Sequence, residues 1–144
     1  LARYQAQSTQ NSVLKNRVHF VGGQQDVTPY YGAADAFVLP TLYDPFPNAI
    51  LEAFACGLPV ITSTKSGGAE MVQAGKNGFI VDALDIEALS NAMLQLVNLP
   101  VTALQQWQAL ARETVLPYSL VHMAEKLHLL YASLLPNQLP AEKG

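Results

Sequence analysis

Leu42-Tyr43-Asp44-Pro45-Phe46-Pro47-Asn48-Ala49-Ile50-Leu51-Glu52-Ala53-Phe54-Ala55-Cys56-Gly57-Leu58-Pro59-Val60-Ile61-Thr62 is the stretch whose reading decides the fold. Just before it, Ala36-Phe37-Val38-Leu39 is apolar without alternation and stops at Pro40, as expected of a parallel strand buried on both faces. Pro47 and Asn48 then open a short helix. Proline suits the first helical position, where a backbone N–H would be unpaired, and asparagine is a good cap. Gly57 closes the helix in the C′ role, and Leu58 to Thr62 reads as a second buried strand. A strand thus delivers a loop and a helix N-terminus to the carboxyl edge of a sheet. The N–H groups of about Asn48 to Leu51 point outward there, and free donors together with the helix dipole suit an anion such as a phosphate.

Two carboxylates flank that anion site: Asp44 in the loop, and Glu52 eight positions later, one turn into the helix. Carboxylates beside a phosphate would repel it, so the better assignment is that they accept hydrogen bonds from sugar hydroxyls. The same strand-to-helix pattern recurs downstream. Ser63-Thr64-Lys65-Ser66-Gly67-Gly68 is a small-residue loop feeding a helix at about Ala69 to Ala74. Gly67 and Gly68 allow backbone to approach a ligand closely, and Lys65 can direct a charge at phosphate or simply be solvated. Glu70 lies in the first turn of that helix, where the dipole favours a carboxylate with or without a ligand.

Upstream, Arg17 to Val21 reads as a strand ending at Gly22-Gly23, with Gly22 opening the carboxyl edge to ligand, and Asp26 caps a short helix starting near Val27. Residues 1 to 16 are polar, glutamine-rich and compatible with a leading helix. Downstream, Lys76-Asn77-Gly78 reads as a tight turn tolerating positive φ, followed by the strand Phe79-Ile80-Val81. Asp82 to Val97 carries Ile86, Leu89, Met93, Leu96 and Val97 at helical spacing, with Asp85 as cap, and is expected to pack on the sheet. Val101 to Val115 and Ser119 to Leu135 read as helices separated by Pro117-Tyr118, with a frayed tail beyond. The alternating order implies an α/β fold, a Rossmann-like doubly wound parallel sheet with C-terminal helices, and ligands beyond the carboxyl ends of the strands.

Asp44 to Val60 resembles the Glu-x7-Glu signature of the family-4, or group 1, retaining glycosyltransferases, which have the two-domain GT-B fold. Their loop reads Glu-(Pro/Gly)-Phe-(Gly/Pro)-Asn, then apolar residues, Glu-Ala, and a run through Pro-Val into a strand; this chain matches from Pro45 onward. It departs at Asp44, one methylene shorter than the usual glutamate. The resemblance extends to Val18-His19-Phe20-Val21-Gly22, Tyr30-Tyr31-Gly32-Ala33-Ala34-Asp35, Ser66-Gly67-Gly68-Ala69-Glu70 and Asn77-Gly78-Phe79-Ile80-Val81, covering roughly residues 17 to 97.

The resemblance implies that the chain is part of the C-terminal half of a GT-B enzyme that transfers a sugar, with retention, from a nucleoside-diphosphate sugar to an acceptor hydroxyl. Glu52 would then hold the ribose hydroxyls and Asp44 the donor-sugar hydroxyls. Backbone N–H groups of Phe46, Asn48 and Ala49 would hold the sugar and diphosphate, Lys65, Gly67 and Gly68 would lie near the donor, and the base would rest against Val21 and Gly22. No metal and no separate cofactor are expected, and UDP-glucose is the expected donor. Similarity to cell-surface polysaccharide and lipopolysaccharide transferases implies a glycan or glycolipid acceptor, bound by a second domain, with peripheral inner-membrane association. About four strands are visible, whereas the family's domain starts with further units carrying an arginine and a lysine for the diphosphate. Residues 1–144 are therefore expected to be one N-terminally truncated donor-binding domain, inactive by itself. A nucleotide-sugar epimerase, a phosphorylase, or a non-catalytic doubly wound regulatory module are the rival readings.

Composition is consistent with this. The chain of 144 residues is 50% hydrophobic and 13% charged, enough for one domain with a sizeable core. A net charge of -3 with eight scattered Lys and Arg offers no footprint for a nucleic-acid backbone. The single cysteine, Cys56, has no disulfide partner and lies at the negative end of its helix, so it reads as a small buried hydrophobe rather than a nucleophile. His19 alternates with apolar neighbours and reads as structural, and no His, Cys, Asp or Glu spacing suggests a metal. No apolar run is long enough to span a bilayer, and a cytoplasmic location is expected.

Overall fold

Apolar runs without alternation should form strands covered on both sides, and the computed structural model, which describes residues 1–135, shows how three of them do so. The chain divides into two units, Leu1–Tyr30 and a larger one beginning at Tyr31. In the first unit α1 spans Ala2–Gln10, and the Asn11 carboxamide ends it by accepting hydrogen bonds from Val13 N–H (2.9 Å) and Leu14 N–H (3.3 Å). The strand expected at Arg17 to Val21 does not form. That segment has no ladder partner among the described residues, and Val18, Phe20 and Val21 are exposed, so neither hydrogen bonding nor burial holds it extended. His19 is likewise exposed rather than packed as a structural histidine. The helix expected near Val27 is α2, Thr28–Ala33, and Asp26 Oδ1 accepts from Thr28 N–H at 2.9 Å.

In the larger unit the strands β1 (Phe37–Leu39), β2 (Val60–Ser63) and β3 (Gly78–Val81) pair in parallel in that order, with Phe37 opposite Val60 and Val60 opposite Gly78. Three strands, not four, make the sheet among the described residues. The first crossover carries α3 (Asn48–Ala55); α4 (Ile86–Val97), α5 (Val101–Val115) and α6 (Leu120–Leu134) follow β3. Period-two alternation divides the core. Phe37, Leu39 and Val60 join Ile50, Ala53, Phe54 and Ala111 under α3 and α5, while Val38, Ile61 and Val81 join Ala92 and Leu96 under α4. Both sheet faces are therefore covered. Phe54, Ile50 and Ile61 are fully buried, each adding about 1.5–3 kcal/mol of transfer free energy.

Helix ends follow local chemistry, with two revisions. Pro47 is the N-cap, with extended φ −71° and ψ 116°, and Asn48 is the first helical residue; the two roles are the reverse of the expected ones. At the other end Gly57 takes φ +78° as C′, its N–H bonded to Phe54 O (2.9 Å) and Leu58 N–H to Ala53 O (2.9 Å), the pattern of a Schellman cap. Cys56 is the C-cap and is half-buried against the core rather than enclosed.

Instead of an α-helix at Ala69 to Ala74, a single 3-10 turn spans Gly67–Met71. Two glycines in its first turn give an α-helix little support. The expected Lys76-Asn77-Gly78 turn carries its positive φ one residue before, at Gly75 (+74°). Gly78 instead opens β3 so close to β2 that a Cβ would meet Val60 O at 2.0 Å. Asn77 is fully buried; its Oδ1 accepts from Gln73 N–H (2.7 Å), and its Nδ2 donates to Met71 O (3.2 Å) and Thr114 Oγ1 (3.1 Å).

Asp85 caps α4 as expected, accepting from Ala88 N–H at 2.8 Å. The buried stripe of α4 differs from the expected one, because Ala92 and Leu96 face inward while Ile86, Met93 and Val97 stay exposed. No residue of α6 is buried, and Ser119 caps it by accepting from His122 N–H. The frayed tail expected beyond Leu135 lies outside the described residues. No helix among them is long and apolar enough to cross a membrane.

Candidate functional site

The carboxyl edge of the sheet is built from two loops tied to each other. Thr62 Oγ1 on β2 donates to Leu39 O at 3.0 Å and Ser63 Oγ donates to Thr41 O, so the chain leaving β1 is held along β2. The pairing then continues past the strands. Asp44 and Ser66 form an isolated parallel bridge, in which Asp44 N–H donates to Lys65 O (3.3 Å) and Gly67 N–H to Asp44 O (2.8 Å). Asp44, Lys65 and Gly67 are thereby brought together.

The two glycines make this junction possible. A Cβ on Gly67 would lie 1.7 Å from Pro45 O, and one on Gly68 would lie 2.5 Å from Ile50 Cδ1. The close approach they permit is thus to the Asp44 loop and to α3. Ser66, just before the two glycines, is buried, and its Oγ has no hydrogen-bond partner among the described residues.

At the start of α3, Pro47 has no N–H and Ile50 N–H is taken by Pro47 O (3.0 Å). The N–H groups of Asn48 and Ala49 have no acceptor among the described residues. Two donors at the positive end of a helix dipole therefore remain available to an anion. Phe46 N–H, expected as a third ligand donor, is instead bonded to Asp44 Oδ1 at 3.2 Å, an Asx turn that fixes the carboxylate against its own loop.

Glu52 is exposed on α3, and its Oε2 accepts a 2.9 Å hydrogen bond from the Tyr31 hydroxyl. The Tyr31 ring packs edge-on against Phe37, with centroids 5.8 Å apart. Partial burial, followed by the bond to Glu52 and its charge, pushes the Tyr31 hydroxyl up to about 12, so it remains a donor at neutral pH. Tyr31 lies in the Tyr30-Tyr31-Gly32-Ala33-Ala34-Asp35 block of the resemblance, which assigns it no role; three-dimensional packing brings it to Glu52. Lys65 is exposed and contributes its carbonyl to the loop junction. Gly22 belongs to the first unit, with φ +69° and open space around its α-carbon.

A cleft of about 450 Å³ opens beside the α3 N-terminus, between Phe46, Asn48 and Leu51 on one side and Tyr118, Met123 and Lys126 on the other. Phe46 and Tyr118 stack across it with centroids 6.1 Å apart. Lys126 was not singled out by sequence, yet it puts a cation in the wall opposite Asn48. A larger cleft of about 650 Å³ lies at the amino edge of the sheet, lined by Phe79, Asn91, Gln95 and Trp107, and contains none of the expected site residues. Among the described residues no cluster of three His, Cys, Asp or Glu side chains is arranged to hold a metal.

Comparison with known proteins bears on the family and the fold. The family model described as "Glycosyl transferases group 1" matches residues 2–98. The chain is 30% identical, over 94% of its own length and 34% of the relative's, to the UDP-Gal:alpha-D-GlcNAc-diphosphoundecaprenol alpha-1,3-galactosyltransferase of Escherichia coli. It is 37% identical, over 58% of its length and 25% of the relative's, to the lipopolysaccharide core biosynthesis glycosyltransferase LpsE of Rhizobium meliloti. Among solved structures, sucrose-phosphate synthase from Thermosynechococcus elongatus superposes with a TM-score of 0.79 at 33% identity, over 93% of this chain and 34% of that one. The chain therefore spans between a quarter and about a third of the length of these proteins.

Proposed function

We propose, for a chain that belongs to the group 1 glycosyl transferases, that residues 1–144 form the donor-binding domain of an enzyme that moves a hexose, with retention, from a UDP-sugar to an acceptor hydroxyl. The observation that carries this reading is the α3 N-terminus. Its Asn48 and Ala49 N–H groups have no acceptor among the described residues and stand at the carboxyl edge of the sheet, after the loop that holds Asp44 and ahead of the exposed Glu52. Free donors at a helix N-terminus stabilise the diphosphate, and do so increasingly as negative charge develops on it during departure. Lys126 adds a cation to the facing wall of the cleft beside that N-terminus.

Glu52 accepts hydrogen bonds from the ribose hydroxyls and Asp44 from hydroxyls of the transferred sugar. Both roles need a carboxylate acceptor and neither needs a nucleophile. Lys65, Gly67 and Gly68 belong to the loop that supports Asp44, and Gly22 with Val21 is the proposed rest for the base. UDP as the nucleotide is supported by the UDP-Gal donor in the name of the Escherichia coli relative. Relatives named for lipopolysaccharide core synthesis and for a diphosphoundecaprenol-linked sugar support a glycan or glycolipid acceptor.

Calorimetric titration of the chain with UDP and UDP-hexoses tests the reading. Binding that is lost in Glu52→Ala is the expected result. Unchanged UDP affinity in that variant would remove the ribose assignment.

A further inference from the structure

We infer that Tyr31 is the positioning residue for Glu52: its hydroxyl pins one carboxylate oxygen and thereby presents the other to a vicinal diol of the bound ligand. The inference rests on the reading of Glu52 as a ligand-binding carboxylate and deepens it.

Glu52 lies on an exposed stretch of α3 and has three side-chain torsions, so an unpinned carboxylate would sample several rotamers and lose that freedom on binding. The Tyr31 hydroxyl removes much of this cost beforehand. It donates to Glu52 Oε2 at 2.9 Å from a ring held edge-on against Phe37, and Phe37 is itself anchored in β1, whose N–H bonds to Pro59 O at 2.9 Å. The tether therefore runs from the sheet to the carboxylate through rigid aromatic rings, not through another flexible side chain.

The acceptor arithmetic is compatible with a diol. A carboxylate has about four lone-pair sites; Tyr31 uses one on Oε2, leaving Oε1 without a partner among the described residues and spare capacity on Oε2. Two adjacent hydroxyls can therefore donate to Glu52 while the Tyr31 bond persists. A hydroxyl that stays protonated at neutral pH is needed for this, because a tyrosinate would repel the carboxylate instead of orienting it.

The alternative is a bond that only fastens α2 to α3, and a thermodynamic cycle separates the two. UDP and its 2′,3′-dideoxy analogue are titrated by calorimetry into the wild-type chain, Tyr31→Phe and Glu52→Ala, each first shown to be folded by its amide spectrum. Tyr31→Phe is expected to weaken UDP roughly three- to tenfold, the range of one net hydrogen bond, and to leave the dideoxy analogue unchanged. Equal weakening of both ligands, no weakening of UDP, or no UDP binding by the folded wild-type chain at millimolar ligand would overturn the inference. Glu52→Ala keeps the two failures apart. If it abolishes the preference for UDP over the dideoxy analogue while Tyr31→Phe does nothing, the Glu52 reading stands and only the Tyr31 role falls.

Discussion

Gly67 packs so tightly on Pro45 that a single added carbon would lie 1.7 Å from the Pro45 carbonyl oxygen. The obstacle is backbone on both sides, so a side chain at this position must push apart the two loops that carry Asp44 and Lys65. Gly68 meets Ile50 Cδ1 at 2.5 Å, the far end of a side chain that can turn. Gly67→Ala should therefore cost roughly 2–4 kcal/mol, more than ordinary overpacking of a core, whereas Gly68→Ala should cost about 1 kcal/mol. Urea midpoints of the two variants measure the difference. Equal midpoints would mean that the Asp44–Ser66 bridge can open without loss.

Asp44 has a duty inside its loop as well as the one proposed toward ligand, and two substitutions separate them. Its Oδ1 accepts from Phe46 N–H at 3.2 Å, which an asparagine can also do. Asp44→Asn should leave thermal stability within about 0.5 kcal/mol of wild type, while Asp44→Ala should lose about 1 kcal/mol. Both should weaken UDP-hexose relative to UDP. If only the alanine variant did so, Asp44 would act through the loop and not through its charge.

What was legible in the sequence was chemistry settled within a few residues. Gly57 as the glycine after a helix, Asp85 as a cap, and the apolar runs that became β1, β2 and β3 all depend on local sterics and hydrogen bonds. What was missed depends on partners distant in the chain. Val18 to Val21 has a strand's composition, but a strand needs a neighbour, and none pairs with it among the described residues. Gly67 and Gly68 signal a close backbone approach, but sequence alone does not show that Pro45 and Ile50 occupy the space where their Cβ atoms would lie. Tyr31 lies 21 positions from Glu52, in a block of the resemblance that gives it no role toward that carboxylate. The pair of acids was legible at the candidate site, but the group that holds one of them was not.

Asn77 shows the same distance effect in the core. Its fully buried side chain replaces backbone partners for Gln73 N–H and Met71 O and reaches Thr114 on α5, which in turn donates to Leu110 O at 2.7 Å. Asn77→Ala strands those buried groups and should cost about 2–4 kcal/mol, whereas Thr114→Ala should cost about 1 kcal/mol. A double-mutant cycle in urea should give a coupling of at least about 0.5 kcal/mol, as expected for side chains in direct contact. Strict additivity would show that the 3.1 Å contact contributes nothing measurable.

Tyr31 gives the chain a pH signature with a definite sign. Its hydroxyl is pushed up to about 12 by burial first and then by Glu52, against an ordinary value near 10 in the unfolded chain. Between those values the unfolded chain has released the proton and the folded chain still holds it, so the folded state binds more protons and stability falls as pH rises. The contribution is fully present below about pH 10 and is lost as pH passes through about 12. Tyr31→Phe removes the titrating group and should flatten that part of the curve, while the other tyrosines cancel in the difference between variant and wild type. The measurement is the urea midpoint of both proteins from pH 8 to pH 12. A wild-type curve no steeper than that of Tyr31→Phe above pH 10 would mean that the hydroxyl titrates as it does in water and that its bond to Glu52 is not formed in solution.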